Sequence, residues 1–266
     1  MEFAAYRHQY AVQFLGKNYD QNGLEVDFRI VYDDKSKTNT SQITMWNLSP
    51  QTLDSLVPGT PIILLGGWPG STGIIFSGEV VSLETEITGT GDTPTTIYVA
   101  QDRKIWFKST VNKEWQAPIT TQAIVKDLVN NSPFTLGFFD TSIDYKYKRN
   151  WSFNGQLKDA LAELAADCGA RAYNEDGRIF FMLPGKSAIQ HIQVRPEHIL
   201  DSPRKTTKGN WKFKTILRWE ARPGTVVDLK SKFLEGSYVV LSVLHRRSGD
   251  KIFITEWEVA DSNAEK

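Results

Sequence analysis

The stretch NLSPQTLDSLVPGTPIILLGGW, residues 47–68, packs three structural signals into one phrase. Asn47 precedes Ser49, a helix cap, and Pro50 stands at the first helical position, where its missing N–H costs nothing. Leu53 and Leu56 lie three apart on one helix face, and Pro58-Gly59 ends the helix in a turn. PIILLGGW then reads as a buried strand. A related phrase, RPGTVVDLKS, returns at residues 222–231, with Pro223-Gly224 standing 165 positions after Pro58-Gly59. GIIFSGEVVSLETEI follows the first strand, with a bend or bulge expected at Gly78, and TTIYVAQD closes the segment. GSYVVLSVLHRR, opened by Gly236, and KIFITEWEVA follow the second. Both segments therefore share one order of elements: Pro-Gly-Thr turn, strand, glycine, long strand, turn, closing strand. The second turn follows TILRWEA, which reads as strand, so the helix before the first turn has no counterpart.

Working outward, YAVQFLG (residues 10–16) alternates, and Asn22-Gly23 marks a hairpin turn into LEVDFRIVYD. There Leu24, Val26, Phe28 and Ile30 share a face. SQITMWNL is a further strand. The middle of the chain changes period. Thr120 or Thr121 caps a helix carrying Ile124, Val125, Leu128 and Val129. A second helix from Gln156 places Leu157, Leu161, Leu164, Ala165 and Cys168 on one stripe, with Gly169 as its C-terminal cap. NEDG, ending at Gly177, turns ARAY into RIFFML as a hairpin. After DSPRKTTKGN (residues 201–210) the strands return with WKFKTILRW. The expected class is mainly β with an α+β insertion: two small tube-like β-barrels flanking a helix-and-hairpin module. The expected domains are residues 1–117, 118–200 and 201–266, the last complete in itself or completed by strands from the first.

The chain has 266 residues, 40% of them hydrophobic, enough to bury substantial cores. Lys plus Arg and Asp plus Glu are both 31, and a net charge of zero argues against broad electrostatic binding to nucleic acid or an anionic membrane. The balance is uneven along the chain: residues 1–117 hold 9 basic and 13 acidic side chains, and residues 201–266 hold 13 basic and 9 acidic. Ends of opposite sign suit packing of copies side by side, although ordinary surface scatter gives similar numbers. One cysteine, Cys168, excludes an internal disulfide and a multi-cysteine metal site. MEFAAYRHQY lacks the basic start and apolar run of a secretory signal, and no run reaches the roughly 20 apolar residues of a spanning helix. A reducing cytoplasm is the expected place of folding.

No catalytic, cofactor or metal site announces itself. His8, His191, His198 and His245 include no pair at zinc-helix spacing. His245 lies in an alternating strand, where a half-buried structural role is expected. GSTG (residues 70–73) runs from loop to strand and is no nucleophile elbow. Cys168 sits at the negative end of a helix dipole, which raises a thiol pKa and favours an inert role. Glu163 and Asp167 stand four apart on one helix, as a solvated face commonly does. Neither a phosphate loop nor a calcium loop is present. Trp46, Trp211, Trp219 and Trp257 fall in expected strands, where a large aromatic fits the pleat. Trp68, Trp106 and Trp115 are the natural reporters of any glycan stacking. Arg204, Lys205, Lys208, Lys212 and Lys214 form a basic stretch suited to a phosphate or to an acidic protein neighbour.

The order of these phrases resembles the tail baseplate hub proteins of long-tailed bacteriophages and prophages. The resemblance rests on ITMWNLSPQTLDSLVPGTPIILLGGW, GIIFSGEVVSLE, LKDALAELAADCGARAYNEDGRIFFMLPG and PGTVVDLKS with GSYVVLSVLHRRSGD, and covers roughly residues 8–260. It implies two tube-like barrels in one chain, and three chains in a homotrimeric ring of six barrels with pseudo-sixfold symmetry. Such a ring joins the hexameric tail tube to a threefold spike or fibre. The implied partners are a distal tail or tube protein above, a central spike or fibre below and the tape measure protein. DNA passes through the channel without specific binding. The implied setting is the virion tail tip, assembled in the host cytoplasm, with no cofactor and no enzymatic role. Because the chain stops soon after EWEVADSNAEK, lytic or host-binding activity is expected on another polypeptide. Because DNA must pass freely, the basic stretch is expected to face a protein neighbour. A carbohydrate-binding β module and a cell-wall hydrolase component remain the alternatives.

Overall fold

A computed structural model of the chain describes residues 8–33, 40–87, 91–101, 108–175, 177–183 and 191–261. The first part forms β1 (Gln9–Phe14), β2 (Lys17–Asp20), β3 (Val26–Asp33), β4 (Thr40–Trp46), helix α1 (Pro50–Ser55), β5 (Pro61–Trp68), β6 (Ser71–Thr85) and β7 (Pro94–Ala100). The middle forms β8 (Thr110–Trp115), β9 (Ile119–Thr120), α2 (Thr121–Asn130), β10 (Thr135–Phe139), β11 (Lys146–Tyr147), β12 (Trp151–Gln156), α3 (Leu157–Asp167), β13 (Arg171–Glu175) and β14 (Arg178–Met182). The last part forms β15 (His191–Val194), β16 (Ile199–Lys205), β17 (Trp211–Ile216), β18 (Val226–Lys230), β19 (Glu235–Ser248) and β20 (Ile252–Asp261). The chain is mainly β with few helices, as the alternating apolar pattern predicts.

Chain contacts group residues 1–33, 39–100 and 189–266 into one unit, and residues 34–38 and 101–188 into another. In the first unit, β1–β7 and β15–β20 form one 13-stranded sheet. Its main path runs β16-β17-β20-β19-β3-β4-β7-β6-β5-β1-β2, with β18 joining β19 to β15. The residues of both β segments also bury one contiguous apolar cluster, in which Ile43, Ile62, Ile97, Leu217, Val240 and Trp257 all take part. The last segment thus shares its sheet and core with the first, because the long strand β19 has room for two partners on one edge. Within the chain, β18 takes its residues 235–239 and β3 takes residues 242–247.

Local chemistry explains the turns. Ser49 accepts the Thr52 N–H and Pro50 opens α1, as the cap signals require. The expected Asn22-Gly23 hairpin is not formed: β2 pairs with β1 through a two-residue loop, Leu15-Gly16, whose φ values of 51° and 71° are both positive. Asn22 and Gly23 instead wrap on Asp20, which accepts their N–H groups with its side chain and its carbonyl, at 2.9 and 3.0 Å. The bulges of β6 lie at Ile75 and Val81 rather than Gly78. Gly78 answers a different need, since a Cβ there would lie 2.6 Å from the Ala100 carbonyl oxygen. Trp219, expected in a strand, lies in the turn after β17.

The second unit has its own core. Ile124, Val125, Leu128 and Val129 of α2 and Leu157, Leu161, Leu164 and Ala165 of α3 are all buried, so both predicted stripes face inward. Thr120 caps α2 by accepting the Ala123 N–H. Gly169 follows α3 at φ 64°, the left-handed position of a C-terminal cap. The β13–β14 hairpin forms, and Gly177 at φ 72° turns it. A parallel strand, β10, adds to β14 and stacks Phe139 on Phe181 at 5.0 Å, a pairing that neither segment signals alone. Trp115 and Trp151 lie 5.2 Å apart in this core, and the Trp115 indole N–H donates to Asp127 at 2.9 Å. Burial alone would raise the Asp127 carboxyl, but that bond and the Lys113 ammonium hold it below the usual carboxylate range.

Candidate interaction surface

The two Pro-Gly-Thr phrases form the same turn, bond for bond. Gly59 donates to the Val80 carbonyl at 2.8 Å and Val80 returns a bond to Thr60 at 2.9 Å. Gly224 donates to Val240 at 2.8 Å and Val240 returns one to Thr225 at 2.9 Å. Both glycines have positive φ, 92° and 78°, which explains the residue type. The registers match beyond the turn. Glu79 sits between Pro61 and Ala100, as Val239 sits between Val226 and Ala260. Each long strand then skips one residue, Val81 or Leu241. Thus β3-β4-β7-β6-β5 and β16-β17-β20-β19-β18 are two copies of one five-strand order. The copies part outside it, where β1 pairs antiparallel with β5 but β15 pairs parallel with β18.

A seam joins the copies along β19 and β3, and it is built from cations that sequence reading did not single out. Arg247, with 2% of its side chain exposed, donates to the Val26 carbonyl and, at 2.8 Å, to Asp27, and stacks over Tyr10 at 4.4 Å. Arg222, directly before the second Pro-Gly turn, lies 4.3 Å over Tyr32 and donates to the carbonyls of Ile74 and Ile75 at 3.0 and 2.9 Å. His245 is fully buried rather than half-buried, its ring nitrogens 3.1 Å from Thr255 Oγ1 and 3.2 Å from the Ala221 carbonyl. Burial, reinforced by the nearby Arg222 charge, pushes the His245 imidazole well below its ordinary pKa, so it is neutral at pH 7. Trp68 donates its indole N–H to Leu217 at 3.1 Å, and the Trp219 ring covers Gly73 so closely that a Cβ there would meet it at 2.4 Å. The signal for this seam is the phrase RPGT itself, since its arginine is the one residue that differs in kind from VPGT.

The remaining sequence-predicted residues separate into two groups. Asn47 adopts φ 57°, accepts the Thr93 N–H at 3.0 Å and donates to Asp92 at 3.2 Å, so it anchors the end of β4. Pro58, Pro223 and Gly236 lie in turns or at a strand start, with Pro58 exposed and Pro223 buried. The basic stretch is spread over β16, the turn and β17. Lys212 meets Glu258 at 3.2 Å, Lys214 meets Glu256 at 3.8 Å and Arg204 meets Asp201 at 2.5 Å. Lys205 lies over Trp211 at 5.7 Å, and Lys208 is exposed in the turn. Arg204 and Lys205, ahead of the point where the sequence places the return of the strands, end strand β16 at the rim of the sheet.

Among the described residues, the acidic, thiol and imidazole groups singled out in the sequence are not gathered into one cluster. Glu163 and Asp167 are exposed on α3, and Asp167 accepts the Tyr147 hydroxyl at 2.7 Å. Cys168 is part-buried at the end of α3 with its sulfur 3.3 Å from Thr121 Oγ1. His191 meets Asp228 at 3.2 Å, and His198 lies 3.3 Å from Arg218. Among the described residues there is no cluster of three or more His, Cys, Asp or Glu able to hold a metal, and no helix long and apolar enough to cross a membrane. Trp115 belongs to a core and Trp68 to the seam, while Trp106 lies outside the described residues.

No family model and no curated protein matches the chain. Solved structures do. The chain is similar to the 43 kDa tail protein of prophage MuSo2 from Shewanella oneidensis at 9% identity and a TM-score of 0.66, over 98% of this chain and 99% of that one. It is similar to the tail protein from Neisseria meningitidis MC58 at 11% identity and a TM-score of 0.63, over 96% of each. It also matches the E. coli c3393 protein, a type VI secretion component described as similar to the T4 tail proteins gp27 and gp5, at 9% identity, a TM-score of 0.62, and 94% and 76% coverage. With so little identity along the full length of both tail proteins, what is held in common is the architecture: this chain has the fold of prophage tail proteins.

Proposed function

We propose that this chain is a structural tail baseplate hub whose three copies form a ring with pseudo-sixfold symmetry. The observation that carries the reading is the internal repeat: one unit holds two copies of a five-strand order, with matching registers on both sides of its long strand. A chain with two equivalent modules turns three copies into six similar positions, and so matches a sixfold tube on one side and a threefold spike or fibre on the other. The likeness to prophage tail proteins supports that setting. The role is structural, in a virion tail tip, with a distal tail or tube protein, a spike or fibre protein and the tape measure protein as partners. The ring lines the DNA exit channel. Passage requires weak contact with phosphate, because each fixed cation on DNA adds affinity through counterion release. Lys212 and Lys214 are partnered by Glu258 and Glu256, which suits a surface that does not hold DNA.

Light scattering on the purified protein, followed by negative-stain imaging, tests the reading. The expected result is a trimer with a central hole and a six-lobed outline. A monomer at every accessible concentration, alone and with a tube protein, contradicts it.

A further inference from the structure

The repeat leaves two strand edges open whose equivalents are closed within the chain. Transferred by the 160-residue offset between β19 and β6, the edge Ser242–Arg247, which pairs with β3, corresponds to Ser82–Ile87. Among the described residues, no strand pairs with that side of β6 beyond Val80. The counterpart of β3 is β16, which among the described residues pairs with β17 alone. Exposure follows the same division. Arg247 is 3% exposed and its equivalent Ile87 is 93% exposed. Pro223 and Gly224 are buried where Pro58 is exposed, and beside it Val57, the equivalent of Arg222, is 54% exposed. Leu200, on the open β16 edge, is 56% exposed. A large aliphatic left in water costs roughly 1.5–3 kcal/mol relative to burial, so these positions mark surface awaiting a partner.

We propose that the edge running from Ser82 in β6 to Ile87, just beyond its end, adds to the β16 edge of a second copy of this chain, with Arg204 taking the place that Arg29 has in the β19–β3 register. Charge selects the match. Arg29 pairs with Gln42 as Arg204 pairs with Lys212, so Arg204 stands where Arg29 does. Arg246 faces Arg29 across the internal seam. The transferred pair is Glu86 opposite Arg204, with Thr85 opposite Lys205 and Glu84 one step on. Opposite charges directly across a ladder stabilise it, where like charges oppose pairing. Arg204 already holds Asp201, and its five donors serve both carboxylates. Pro203 offers no N–H and acidic Glu84 and Glu86 flank the other edge, so neither edge pairs readily with its own kind. Repetition of this contact around three copies closes the ring proposed above, and to that extent the inference rests on that reading.

The test pairs cross-linking with charge reversal, in the full chain. Glu86→Cys with Arg204→Cys, in a Cys168→Ser background, places two sulfurs on directly opposed residues. Oxidation is expected to give covalent dimers and a terminal trimer on a non-reducing gel, while Ser71→Cys with Arg204→Cys does not. E84K/E86K is expected to abolish the trimer at a concentration where the wild type is fully assembled, and adding R204E/K205E is expected to restore it. That rescue also shows that the variants fold. A wild-type trimer that neither cross-links nor responds to charge reversal overturns the edge assignment and leaves the ring standing. Cross-linked open chains of copies support the edge and overturn the ring. A protein that stays monomeric and gives no intermolecular cross-link overturns both.

Discussion

Arg247 in β19 and Ile87, two residues past the end of β6, are equivalent positions of the repeat, yet one is buried against a tyrosine and the other faces water. The same contrast recurs between Arg222 and Val57, and between buried His245 and exposed Thr85. Two copies of one strand order therefore met two different demands. Where the neighbour belongs to the same chain, the edge is finished with buried cations that satisfy specific carbonyls. Where no described strand of the chain covers the edge, exposed aliphatic and acidic side chains stand in the place of those cations. A duplicated module is informative for this reason: its paired copy describes the environment that its unpaired copy lacks.

The comparison breaks most visibly at Arg247. Arg247→Ala takes the guanidinium from the Val26 carbonyl and from Asp27, which keeps the Gly249 N–H, and removal of the buried member of such a pair costs about 3 kcal/mol. Ile87→Ala is expected to change the stability of the isolated chain by less than about 0.5 kcal/mol. Urea unfolding of the two variants measures both, and similar losses would refute the division between closed and open edges. Arg222→Ala, which strips a charged donor from the Ile74 and Ile75 carbonyls, is expected to cost about 2 kcal/mol, against less than about 0.5 kcal/mol for Val57→Ala.

Elsewhere the two copies are expected to behave alike. Gly59→Ala and Gly224→Ala each force a Cβ into the left-handed region at a cost of about 1–2 kcal/mol. Losses differing by much more than that range would show that the turns are not equivalent. The smallest effect is a pH dependence that belongs to the second copy. His245 is depressed below 6.5 in the folded chain, so the unfolded chain takes up the proton first. Its contribution is complete above about pH 6.5 and is lost as the pH falls below it. His8 and His198 are lowered too, chiefly by burial, and act in the same direction. Thermal melts of His245→Gln between pH 7.5 and 5.5 are expected to flatten relative to the wild type. An unchanged slope would assign the dependence to His8 and His198.

The turns and helices were legible because their signals are local. Ser49-Pro50, Thr120, Gly169 and the two Pro-Gly-Thr phrases each act through bonds a few residues long, and a reader of the chain finds them in place. The hidden hairpin at Leu15-Gly16 shows the limit of that reading, since a leucine with positive φ carries no turn signal. Strand β16 carries no strand signal in the sequence, because it holds Pro203 and a run of charge, and only an edge position makes both acceptable. The basic stretch was visible, but its Glu256 and Glu258 partners lie more than 40 residues away on β20.

By itself, then, the sequence determined the class, the helix-and-hairpin insertion and the existence of a repeat, because periodicity and turn chemistry are properties of short segments. Only the tertiary structure decided that the two copies share one sheet and one core, with Arg222, His245 and Arg247 at their seam and β6 and β16 left open. Strand register and edge exposure arise from pairings between residues more than 200 positions apart, such as Arg247 with Phe28. A burial pattern along one strand says that a partner exists, and the partner itself is named only when the chain folds.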